Sequence, residues 1–163
     1  MPRTESLALV LAVQYALPRT GLPAAISFQR WIRAALEGGQ QRGAVELAVR
    51  LVDADEGRAL NASWRGKDYA TNVLSFPPAD PPVGMRGKRP RHLGDLVICA
   101  PVVISEADAQ GKPRRHHFAH LTVHGVLHLL GHDHVEADDA TRMEALETRI
   151  LDHLGIADPY GEH

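Results

Sequence analysis

A chain of 163 residues, 44% hydrophobic and 23% charged, has the length and balance of one domain with its own core. A net charge of −2 with neutral histidines excludes a molecule that is, as a whole, an electrostatic magnet for nucleic acid. The single cysteine, Cys99, excludes an internal disulfide and suits a reducing compartment, and no segment reaches the ~20 apolar residues of a membrane-spanning helix.

In chain order, Leu7 to Tyr15 is a near-continuous apolar run, as in a strand covered on both faces. It is too short, and too poor in flanking basic charge, for a signal peptide, so a cytoplasmic protein is expected. Ser27 is placed to cap a helix carrying Phe28, Ile32 and Leu36 on one face, with Gly38-Gly39 stopping it. Val45, Leu47, Val49 and Leu51 alternate with Ala44, Glu46, Ala48 and Arg50, the pattern of a half-buried strand. Asp53 or Asp55 then caps a short helix through Leu60 and Trp64, ending near Arg65-Gly66.

Asn72 to Phe76 reads as a strand stopped by Pro77-Pro78. Residues 77–93 hold five prolines and the basic cluster Arg86, Lys88, Arg89 and Arg91, and read as an exposed loop. A second basic cluster runs over Lys112, Arg114, Arg115, His116 and His117. Leu96 to Ala100 predicts a further strand that buries Cys99. Pro101 opens a helix ending before Gly111, residues 116–130 form a longer one closed by Gly131, and Asp138-Asp139 open the last, with Met143, Leu146, Ile150 and Leu154 in helical period. Strands mixed with helices early, then helices alone, read as α+β over a single domain, residues 1–163.

Seven of the ten histidines lie between His116 and His134. At ~100° per residue, Ala119, Val123, Val126, Leu127 and Leu130 form an apolar stripe, while His124 and His128 share a face away from it, one turn apart. Gly131 lets the chain fold back so that His134 supplies a third nitrogen. His120 in place of one of the pair, and His132 in place of His134, remain open alternatives. The spacing His-x3-His-x5-His matches the ligand pattern of the metzincin proteases, and three imidazoles with one open position describe a catalytic zinc. Where those proteases keep their glutamate base, however, this chain has Gly125. The chemistry therefore turns from peptides towards substrates whose transition state mainly needs charge stabilisation, such as phosphodiesters.

The run His124-Gly125-Val126-Leu127-His128-Leu129-Leu130-Gly131-His132-Asp133-His134 resembles the signature of the YbeY family of bacterial rRNA maturation factors. Trp64-Arg65-Gly66, Thr71 to Pro77, Leu93 to Cys99, Met143 to Glu147 and Asp158-Pro159-Tyr160 agree with it, so the resemblance runs from about Val49 to Tyr160. It implies a small mixed sheet packed by helices, with a zincin-like metal-binding helix. It also implies one zinc ion on His124, His128 and His134, and Arg65 as the catalytic arginine. The implied activity is endonucleolytic hydrolysis of single-stranded RNA, in maturation of the 3′ end of 16S rRNA and in ribosome quality control. The implied partners are rRNA in the small subunit and a ribosomal protein or assembly GTPase, with no DNA and no membrane. Arg86, Lys88, Arg89 and Arg91 are the expected RNA contacts, since phosphate neutralisation needs only positive charge.

Two other functions compete with this one. An assembly factor with a structural metal would not need Arg65. A metalloprotease would need a carboxylate base from elsewhere, with Glu106, Asp108 and Glu136 as the candidates.

Overall fold

The computed structural model describes residues 6–78, 90–131 and 137–157. Four strands and five helices follow one another as β1 (Ala8–Tyr15), α1 (Ala25–Gly38), β2 (Ala44–Val52), α2 (Ala54–Arg65), β3 (Val73–Phe76), β4 (Arg91–Cys99), α3 (Ala100–Gln110), α4 (Arg114–Leu129) and α5 (Ala137–His153). The strands lie in the order β1-β2-β4-β3, with β1, β2 and β4 parallel and β3 antiparallel to β4. This is the α+β arrangement with a small mixed sheet that was expected. No helix among the described residues is long and apolar enough to cross a membrane.

The main core lies on one sheet face. Val45, Leu47, Val49 and Leu51 of β2, with Leu96 and Ile98 of β4, meet Phe28, Ile32 and Leu36 of α1 and Phe118, Val123 and Leu127 of α4. A smaller cluster of Val52, Leu74, Val97 and Cys99 fills the other face, with Leu60 of α2 packed against it. Cys99 is a buried free thiol, and desolvation pushes its pKa up.

Three expectations need correction. Leu7 to Tyr15 is not covered on both faces, because β1 is an edge strand whose alternate residues face solvent, and Val10 is 56% exposed. Ser27 does not cap α1. The helix starts at Ala25, and the buried Ser27 hydroxyl accepts from Arg115 Nη1 of α4 at 2.8 Å. Finally, β4 begins at Arg91, so residues 91–93 belong to a strand rather than to the loop. The register shifts between Glu46 and Leu47, which pair with His92 and Gly94 and leave Leu93 as an extra residue. That bulge breaks the alternation by which the strand would have been read.

Gly94 makes the bulge possible: its φ is +138°, and a Cβ there would lie 2.5 Å from the Phe76 carbonyl oxygen. At the other end of the domain, Gly38 and Gly39 do end α1, but the left-handed residue that turns the chain is Gln40, with φ 63°, while Gly39 keeps φ −81° and the Gln40 and Gln41 amides donate to the Glu37 and Leu36 carbonyls. The two glycines let α1 approach its neighbours, because a Cβ on Gly38 would lie 2.6 Å from Ile150 and one on Gly39 2.6 Å from Leu130.

Candidate metal centre and cleft

The histidine helix α4 runs through the middle of the domain against α1, α3, α5, β3 and β4. It is consequently buried on more sides than the single stripe predicted from the sequence, with Phe118, Leu121 and Thr122 buried as well. Gly125 faces the sheet. A Cβ there would come within 2.8 Å of Leu96 and 3.3 Å of the Ser75 hydroxyl, which donates to the Gly125 carbonyl at 3.1 Å. A glutamate at 125 would point into β3 and β4.

His124 and His128 lie one turn apart with their Nε2 atoms 3.0 Å from each other. Behind them stands Glu147 of α5, whose side chain is fully buried. One carboxylate oxygen accepts from His124 Nδ1 at 2.5 Å and the other from His120 Nε2 at 3.2 Å. His120, His124 and Glu147 form a group whose ligand atoms lie within 4.8 Å of one another and could hold a metal ion. With Nδ1 on the carboxylate side, the Nε2 edge of the His124 ring is turned towards His128.

These histidines line a cleft of about 630 Å³ whose opposite wall comes from α2 and β3, including Trp64, Arg65, Asn72, Val73 and Ser75. Asp53 caps α2 by accepting from the Glu56 amide at 2.9 Å, and Gly66 closes it with φ 70°, which sets Arg65 at the cleft edge. Arg65 is exposed and makes no hydrogen bond or ion pair with another described residue. None of the described residues lining the cleft is an aspartate or a glutamate.

Two of the three carboxylates considered as a protease base are engaged elsewhere. Glu106 accepts from Asn72 Nδ2 at 3.1 Å and from the buried His117 Nε2 at 3.0 Å, tying α3 to β3 and α4. Burial lowers the His117 pKa despite the opposing pull of Glu106. Asp108 pairs with Arg114, which holds the Asp108 carboxyl below its usual range. Glu136 lies outside the described residues, as do His132, His134, Arg86, Lys88 and Arg89.

Arg91 is exposed at the start of β4, opposite Val45, and is not among the residues lining the cleft. The second basic cluster lies at the start of α4. Arg114 is paired with Asp108, and Arg115 bonds Ser27 and stacks on Trp31 at 5.1 Å, because these residues begin α4 and anchor it.

Glu147 had a signal in the sequence that was not used. It falls one turn after Met143 and one turn before Leu151, both fully buried, so a carboxylate on that face requires partners.

Fold and site together define an α+β domain with a histidine-lined cleft, backed by a buried carboxylate, on its central helix. The family model described as endoribonuclease YbeY matches residues 23–155. Relatives named endoribonuclease YbeY include that of Stenotrophomonas maltophilia (strain R551-3), 61% identical over 153 residues and 93% of each chain. Another, from Xanthomonas axonopodis pv. citri (strain 306), is 59% identical over 157 residues, 95% of this chain and 96% of its own. A solution structure from Thermotoga maritima shares the fold at 20% identity, with a TM-score of 0.56 over 94% of this chain and 100% of that one. The chain belongs to the endoribonuclease YbeY family.

Proposed function

We propose that this chain is a metal-dependent endoribonuclease that cleaves single-stranded RNA and acts in the cytoplasm on the 3′ end of 16S rRNA. Zinc is the proposed ion, held by His124, His128 and His134, with Arg65 on the scissile phosphate. The observation that carries this reading is that Arg65 and the facing His124–His128 pair line one cleft with no carboxylate among its described lining residues. That lining suits a phosphodiester, whose negative charge a carboxylate would repel, better than a peptide, which zinc proteases of this ligand spacing hydrolyse with a glutamate base.

The donor set fits zinc. Two nitrogens on one tetrahedral zinc, at bond lengths of ~2.0–2.1 Å, stand about 3.3 Å apart, close to the 3.0 Å between the two Nε2 atoms. The 2.5 Å gap between His124 Nδ1 and Glu147 leaves no room for an ion, so the Nε2 side is the side for the metal and Glu147 the group that orients the ring. When bound, zinc supplies Lewis acidity to the phosphate and lowers the pKa of water. The protein's own part is to place the phosphate. The guanidinium of Arg65 presents paired donors to two phosphate oxygens. Arg86, Lys88, Arg89 and Arg91 are proposed to hold the flanking RNA backbone, and the small subunit with a ribosomal protein or assembly GTPase to present it.

The test pairs metal analysis with cleavage of single-stranded RNA. Arg65→Ala is expected to keep its metal and lose about 10²–10³-fold in rate, as for loss of one stabilising donor. His128→Ala is expected to lose both metal and activity. If Arg65→Ala cleaves at the wild-type rate, the arginine has no catalytic role; if the metal-loaded wild type cleaves no RNA, an assembly factor with a structural metal is the better reading.

A further inference from the structure

The two tryptophans are in opposite situations. Trp31 is 3% exposed, packed edge-on against Phe28 in the core. Trp64 is 54% exposed, in the last turn of α2, immediately before Arg65. Leaving a large aromatic surface in water forgoes the stabilisation its burial would bring, and α2 has a buried side on which such a ring could have been placed.

The Trp64 ring is nevertheless held in position. Phe76, the last residue of β3, contacts it with ring centroids 4.8 Å apart and planes tilted by 55°. Trp64 also lines the cleft, together with Arg65, His124 and His128. An oriented aromatic surface next to a guanidinium, in a groove with no carboxylate among its described lining residues, matches the two parts of a nucleotide: a flat base and a charged phosphate.

We infer that Trp64 is the stacking platform of this cleft, on which the base adjoining the phosphate at Arg65 lies. The inference rests on the endoribonuclease reading and deepens it. Every nucleobase has a π-face, so stacking binds without reading base identity. A base inside a duplex already has both faces covered, so it cannot reach the indole without unstacking. Trp64 thereby selects for unpaired strands, while Arg65 serves the phosphate of any strand.

The shielded Trp31 makes tryptophan fluorescence a reporter on Trp64. Adding single-stranded oligouridylate to the metal-loaded protein is expected to quench the emission of the wild type, and to leave Trp64→Phe, which retains only Trp31, unchanged. Trp64→Ala is expected to raise KM for single-stranded RNA about tenfold, from the usual worth of one stacked base, with kcat within about twofold. Trp64→Phe should recover most of that loss. Removing the base on one or the other side of the cleaved bond should cost the wild type about tenfold, and Trp64→Ala little. A merely structural Trp64 would not show this dependence on the substrate's base.

If RNA is cleaved but oligouridylate leaves the wild-type emission unchanged, or abasic substrates affect wild type and Trp64→Ala equally, the stacking role is overturned and the endoribonuclease reading stands. If the metal-loaded wild type cleaves no RNA, both fall. Should Trp64→Ala fail to fold, the wild-type quenching and the Trp64→Phe comparison still decide.

Discussion

Glu147 is a carboxylate without solvent, and such a group is tolerated only where donors replace water. His120 and His124 are those donors. The proposed role is to fix the His124 ring so that its Nε2 faces the metal position, and carboxylates behind metal-binding histidines usually matter about 10–100-fold in affinity. Glu147→Gln is therefore expected to weaken zinc binding by about that factor in a chelator competition, with the helical circular dichroism unchanged. Equal affinities would mean that Glu147 is only a core residue. His124 and His128 were legible in the sequence because a spacing of four puts two side chains on one helix face whatever surrounds the helix. Glu147 was not identified, since it is 23 residues from His124 and only the packing of α5 on α4 brings the carboxylate to the ring.

At the scale of elements, Gly125 changes meaning. In the sequence it stood for a missing base; in the fold it is where α4 rests on the sheet, with Leu96, Val73 and Ser75 at the position a Cβ would take. Leu96 is fully buried. Gly125→Ala is accordingly expected to cost about 1–3 kcal/mol through overpacking, seen as a lower urea midpoint with an unchanged slope. An unchanged midpoint would mean that α4 shifts freely at this contact. Helix existence and helix faces were legible, because the 3.6-residue period is local. Ser27 shows where local rules stop. A serine ahead of an apolar face reads as a cap, yet this one is buried and bonded to Arg115, 88 residues away. β1 and β4 were misread for comparable reasons: edge position is a property of the whole sheet, and the bulge at Leu93-Gly94 hides a period of two.

For the whole molecule, pH acts through the buried His117. Burial lowers its pKa below the ordinary 6.5, and this outweighs the attraction of Glu106, with His120 and Lys112 opposing protonation further. Below pH 6.5 the unfolded chain then binds a proton that the folded chain resists, so stability falls as pH drops from about 6.5 towards the lowered folded value. The melting temperature should decline over that window, and His117→Gln, which cannot titrate, should decline less. Equal slopes would place the acid sensitivity on other groups.

The helices, the alternating strand β2, the paired histidines and the glycine at the position of the protease glutamate follow from local spacing and residue chemistry, and the run through His134 already resembled its family. The meeting of Trp64 and Arg65 with His124 across one cleft, and of Glu147 with the same histidine, does not. Those residues are far apart in the chain, and no periodicity links them. They come together because the order β1-β2-β4-β3 puts β3 beside α4, with the end of α2 across the cleft, and because burial of the apolar face of α5 carries its one buried carboxylate to the histidines.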